Sequence, residues 1–123
     1  FYDDTLAALD RLGARFPLAA LTNGNADLDR VGIAHRFVTV ITAGKAGAAK
    51  PDPRIFHLTC AHLRTRPEDV LHVGDDPDLD VRGSVRAGLR AAWINRAGAI
   101  WPGDDSPSAM FADLAALCRW LGL

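Results

Sequence analysis

The sequence has two cysteines, one methionine and almost no excess of charge of either sign, and each scarcity removes a class of explanation. Cys60 and Cys118 lie far apart, outside any CxxC pair and among apolar residues, so neither a disulfide framework nor a thiolate metal site is expected. They read as buried free thiols, which fits a cytoplasmic location. The formal net charge is −1, from 14 basic and 15 acidic residues. That leaves no basic field for nucleic acid and no pull toward anionic lipid. No apolar run reaches the length of a membrane span. The opening Phe1-Tyr2-Asp3-Asp4 lacks the basic region and apolar core of a secretion signal. A chain that starts on Phe1 and holds Met110 as its one methionine is expected to be part of a longer product.

What is present suits one compact domain over residues 1–123. Hydrophobic residues make up 49% of the chain, enough to bury a core. There is no internal repeat and no low-complexity tract. Leu6, Leu9 and Leu12 fall at helical spacing over residues 4–12, with Gly13 as a stop. Residues 18–22 form a short apolar run, ended by Asn23-Gly24. Residues 25–31 suit a short helix closed by Gly32. Residues 37–42 are rich in β-branched side chains and read as a strand. A loop of Gly, Ala and Lys follows. Asp52 then reads as an N-cap, with Pro53 at the first helical position. That helix runs to about Leu63 and buries Ile55, Phe56, Thr59, Cys60 and Leu63.

Residues 70–73 and 90–94 read as two further strands, separated by a helix over 79–87 that Gly88 ends. Residues 95–107 read as loop. A final helix gathers Phe111, Leu114, Ala115, Cys118 and Leu121 on one side. Short apolar strands alternating with helices predict an α/β fold, a Rossmann-like parallel sheet with helices on both faces. Ligands of such sheets bind beyond the carboxyl ends of the strands. The residues after 22, 42, 73 and 94 are therefore the places to inspect.

Three of these places carry chemistry. In Leu21-Thr22-Asn23-Gly24-Asn25, a hydroxyl and two backbone amides can donate to a phosphate oxygen. Taken alone, the segment reads first as a plain turn, since Asn-Gly is a common turn signal. In Lys50-Pro51-Asp52-Pro53, the prolines and the capped helix would hold one ammonium beyond a strand, where it can neutralise a transferring phosphoryl group. A solvated surface lysine is the plain alternative. In His72-Val73-Gly74-Asp75-Asp76-Pro77-Asp78-Leu79-Asp80, four carboxylates crowd six positions. Asp78 or Asp80 can cap the next helix, and Asp75 and Asp76 stand where a hard cation would sit. An acidic surface loop is the plain alternative here.

Two apparent motifs fail. Asp76, Asp78 and Asp80 open like a calcium loop, but Val81 and Ala87 occupy the positions that need Gly and Glu. Residues 44–50 lack the Gly-Lys-Ser/Thr ending of a nucleotide-binding loop. His35, His57 and His62 show no metal-ligand pattern. His72, inside a buried strand, reads as structural. Trp93 and Trp101 read as packing residues.

Together, Thr22-Asn23-Gly24, Lys50 in Lys-Pro-Asp-Pro, and Gly74-Asp75 with Asp80 resemble the second, third and fourth motifs of the haloacid dehalogenase-like hydrolases, in order and spacing. The wording around them is similar to a bacterial branch of phosphatases acting on flavin mononucleotide and on the phosphorylated ribitylaminouracil precursor of riboflavin. The resemblance implies a magnesium-dependent phosphatase. Thr22 and the Asn23 amide would then bond the phosphoryl group, and Lys50 would balance charge. Asp75 would bind Mg2+, Asp80 would orient Lys50 or a metal-bound water, and Asp76 could serve in either capacity. It implies a small phosphorylated metabolite as partner, with a flavin or nucleotide monophosphate as the narrower expectation.

The family's first motif, which supplies the nucleophilic Asp on its own strand, has no counterpart among these residues, and neither does its cap. Asp3-Asp4-Thr5 only echoes that motif. The strands of Thr22 and Asp75 are therefore expected to face a gap of about 10 Å. A 2-haloacid dehalogenase, or a non-catalytic domain binding a phosphorylated ligand or a protein, stays open as an alternative.

Overall fold

The computed structural model describes residues 3–24, 32–107 and 109–123. The helix expected over 25–31 lies outside the described residues. In chain order the main elements are helix α1 (Thr5–Gly13), strand β1 (Ala19–Thr22), strand β2 (Thr39–Thr42), helix α2 (Ala43–Ala46) and helix α3 (Pro53–Leu63). Strand β3 (Leu71–Gly74), a π-helical segment over Pro77–Arg82, helix α4 (Gly83–Arg86), strand β4 (Arg90–Ile94), strand β5 (Met110–Phe111) and helix α5 (Leu114–Trp120) complete it.

Every strand pairing is parallel. β1 lies beside β2, with Leu21 opposite Ile41. β3 lies beside β4, with Val73 opposite Ala92, and β4 lies beside β5. The strands form two separate sheets, β1-β2 and β3-β4-β5, as the expected gap requires. Between them runs a cavity of about 720 Å3, lined by Ala20 and Leu21 of β1, Leu71 and Val73 of β3, and Leu117. It occupies the expected gap between the strands of Thr22 and Asp75.

Alternation along the strands sets the layers. On β4, Ala91 and Trp93 pack against Val81, while Ala92 and Ile94 pack against Leu117. On β3, Leu71 and Val73 join the same α5 cluster, so His72 faces the opposite side, against Phe56 of α3. Helices thus cover both faces: α3 and α4 on one, α5 with α1 on the other. Cys60 and Cys118 are both free and buried. Burial pushes the Cys60 thiol up, which keeps it unreactive. Among the described residues, no helix is long and apolar enough to cross a membrane.

Helix α3 begins as expected: Asp52 accepts from the Arg54 amide at 2.9 Å, with Pro53 at the first turn. Other expectations need correction. The Gly, Ala and Lys loop opens with helix α2, because the Thr42 hydroxyl accepts from the Lys45 amide and caps it. Phe111 belongs to strand β5, not to the last helix, which starts at Leu114 under an Asp113 cap. The expected helix over 79–87 starts earlier, at Pro77, and its first part is π-helical.

Candidate functional site at the carboxyl ends of β1 and β3

The end of β3 is shaped around one carboxylate. Asp80 is 5% exposed, and its side chain folds back against Gly74. A Cβ on Gly74 would come within 2.3 Å of Asp80 Cγ, so only glycine permits this approach. A buried carboxylate needs donors on its lone pairs. Asp80 Oδ1 accepts from Lys50 Nζ at 2.7 Å and from His72 Nε2 at 2.9 Å. Oδ2 accepts from the Asp76 amide at 3.1 Å. Burial alone would push the Asp80 carboxyl up. The hydrogen bonds from His72 and Lys50, with the charge of Lys50, outweigh it and hold Asp80 well below the usual aspartate range.

Lys50 is anchored at its other end by β1. The Asn23 side chain accepts from the Lys50 amide at 2.6 Å and donates to the Lys50 carbonyl at 3.1 Å. This two-point clamp ties the turn after β1 to the Lys50-Pro51 corner. The corner is held from below as well. A Cβ on Gly83 would lie 2.8 Å from Pro51 Cβ, so the glycine lets α4 pack directly onto it. The ammonium has Asp80 as its one hydrogen-bond partner among the described residues, which leaves donors for a ligand.

The structure therefore joins Asn23, Lys50, Asp80 and Asp76 in one continuous run of hydrogen bonds across the ends of β1 and β3. Lys50, Asp75 and Asp80 also line the cavity between the sheets, whereas Thr22 and Asp76 do not. Thr22 Oγ1 accepts from the Gly24 amide at 3.1 Å and closes the turn after β1. Its hydroxyl proton is not consumed by that bond. Asn23 stands in this run through its side chain, where only its backbone amide had drawn attention.

The acidic run divides its labour differently from expectation. Asp76, not Asp78 or Asp80, caps the following helical segment, accepting from the Asp78 and Leu79 amides at 2.9 and 2.8 Å through Oδ1. Asp78 turns outward and pairs with Arg82 at 2.7 Å. Asp75 is exposed, and its carboxylate has no protein partner among the described residues. Its carbonyl is held by Trp93 Nε1 at 2.8 Å. Trp93 in turn meets Trp101 edge to face, so both tryptophans do pack.

Among the described residues, no group of three or more His, Cys, Asp or Glu side chains is arranged to hold a metal ion. Asp75 offers one hard oxygen donor with both lone-pair sets free, while both oxygens of Asp80 and Oδ1 of Asp76 are engaged. That donor set fits a small cation that takes one or two carboxylates and keeps its water, as Mg2+ does.

His72 is the site residue that sequence reasoning missed. Its signal was present: a polar ring set between Leu71 and Val73 in a strand otherwise apolar.

The family model for haloacid dehalogenase-like hydrolases matches residues 1–88. The chain is 41% identical over 102 residues to a phosphoserine phosphatase of Thermus thermophilus, covering 79% of this chain and 41% of that protein. It is 40% identical over 86 residues to the 5-amino-6-(5-phospho-D-ribitylamino)uracil phosphatase of Escherichia coli, covering 70% and 36%. The crystal structure of a 2-haloacid dehalogenase from Pseudomonas syringae superposes with a TM-score of 0.90 at 35% identity, over 98% of this chain and 54% of that one. The chain thus spans less than half the length of these curated relatives. With the ordered motifs, the fold and the matched family model in agreement, this chain belongs to the haloacid dehalogenase-like hydrolase family.

Proposed function

We propose that the protein carrying this chain hydrolyses a phosphomonoester with the help of Mg2+. One observation carries the reading: a fixed ammonium with donors to spare, at Lys50, lines the same cavity as a carboxylate with no partner among the described residues, at Asp75. Opposite charges left available in one cavity suit a phosphate and its cation better than either suits alone.

In this reading an aspartate from outside these 123 residues attacks phosphorus, and the ester oxygen leaves as an alcohol. Water then attacks the phosphorus of the aspartyl-phosphate and releases inorganic phosphate and the free carboxylate. Thr22 and the amide of Asn23 bond the phosphoryl oxygens. Lys50 balances their charge, and Asp80 keeps Lys50 in place. Asp75 would hold Mg2+, with Asp76 beside it; when bound, the cation neutralises charge on the phosphoryl oxygens. The substrate class is a small phosphorylated metabolite. The phosphatases among the relatives support that class. A flavin or nucleotide monophosphate is the narrower proposal; one similar phosphatase is named for a phosphorylated substrate with a pyrimidine ring.

The dehalogenase similarity favours a second reading, displacement of halide from a 2-haloacid. The two readings separate in one assay of the complete gene product. Phosphate release from a general aryl phosphate, abolished by a chelator and restored by Mg2+, is expected. Chloride release from 2-chloropropionate without phosphate release would replace this reading with the second. Neither product under any condition would leave a domain that binds without catalysing.

A further inference from the structure

A histidine inside β3 has a cost that an apolar side chain would avoid. His72 lies between Leu71 and Val73, its ring edge to face with Phe56 at 5.1 Å and 86°. Its side chain is 12% exposed. Phenylalanine or leucine would fill that space without burying a polar ring. Among the described residues its one hydrogen-bond partner is Asp80 Oδ1, the same oxygen that receives Lys50 Nζ. An ionised carboxylate only accepts, so Nε2 must carry the proton. The neutral ring is then the Nε2–H tautomer.

Three donors therefore define the Asp80 carboxylate: Lys50, His72 and the Asp76 amide. With all three, its plane cannot rotate. Without His72, Oδ1 keeps only the mobile end of a lysine, and carboxylate and ammonium can swing together. We propose that His72 is a positioning residue, which locks Asp80 so that Lys50 presents its ammonium at a fixed point of the site. The functional consequence rests on the phosphatase reading; the hydrogen bond itself does not.

The test uses the complete gene product with two substitutions. His72→Phe keeps the ring against Phe56 and removes the donor. His72→Gln restores an N–H at similar reach. Loss of an outer-shell partner typically costs about 10–100-fold, so His72→Phe is expected to lower kcat by about that factor. His72→Gln is expected to return to within about 3-fold of wild type, short of that range. Nitrogen NMR of the wild-type ring should show a protonated Nε2. Wild-type kcat in His72→Phe, equal losses in both variants, or an unprotonated Nε2 would each overturn the proposal. If the wild type releases no phosphate, the phosphatase reading fails, and the NMR measurement still decides the hydrogen bond.

Discussion

At the scale of single residues, the site depends on how closely Asp80 approaches the backbone of Gly74. Gly74→Ala places a Cβ only 2.3 Å from the Asp80 carboxyl carbon. Neither atom can yield easily, since one is backbone-bound and the other is held by three donors. The substitution should cost toward the upper end of the roughly 1–3 kcal/mol of an overpacked core. Under the proposed function it should also abolish phosphate release by the complete gene product, by displacing Lys50. A chemical-denaturation midpoint and an activity equal to wild type would show that Asp80 has another place to go.

Asp80 also makes stability depend on acidity. Its folded carboxyl is held below the ordinary value, against burial, by His72 and Lys50. Such a group contributes stability above its unfolded value of about 3.9, and the contribution is lost as pH falls through the lower folded value. The stability gap between wild type and Asp80→Asn should stay constant above about pH 5 and narrow below about pH 4. Denaturation curves across that range check it; a gap that widens on acidification would have the wrong sign.

At the scale of elements, what could be read in advance was what local chemistry decides. Asp52-Pro53 start α3 by capping and a preset φ, and the structure uses both. The β-branched and apolar runs became β1 to β4 because each buries its side chains against a helix. Competition between equivalent caps could not be read. Three nearby aspartates can each cap a helix, and the winner, Asp76, is settled by where Asp80 is pulled. Strand β5 is two residues long and exists only through its partner β4, so no local pattern announces it.

Nor does the sequence reveal that Asp4 serves a helix over a hundred residues away. Its Oδ2 accepts from the Leu114 and Ala115 amides, at 2.8 and 3.2 Å, and Arg96 lies 3.0 Å from its Oδ1. Although burial raises it, the Arg96 guanidinium and these amides hold the Asp4 carboxyl below its usual value. Asp4→Ala should cost about 1 kcal/mol, as loss of a helix cap does. Thermal melting reads this directly, and an unchanged melt would mean that Asp113 alone suffices.

At the scale of the molecule, the two sheets leave β1 and β3 facing each other across the cavity, each edge unpaired on that side among the described residues. Open parallel edges invite other strands. These 123 residues by themselves should therefore associate on concentration, which light scattering would detect. A sharp, cooperative melt of a monomer would contradict that.

The parallel layer was legible, and with it the rim where candidate residues would lie. Thr22 ends β1, Asp75 directly follows β3 and Lys50 comes after β2 and the short α2, and strand ends of a parallel layer meet at one rim whatever fills the middle. The Asn23 clamp and the His72 bond were not legible, because both are side-chain contacts across elements.

The most direct measurement is steady-state phosphate release by the complete gene product carrying Lys50→Met, with folding verified by its melt. If the Lys50 ammonium stabilises the transferring phosphoryl group, kcat falls by about 100-fold or more. A folded variant that turns over as fast as wild type would contradict the account at its centre.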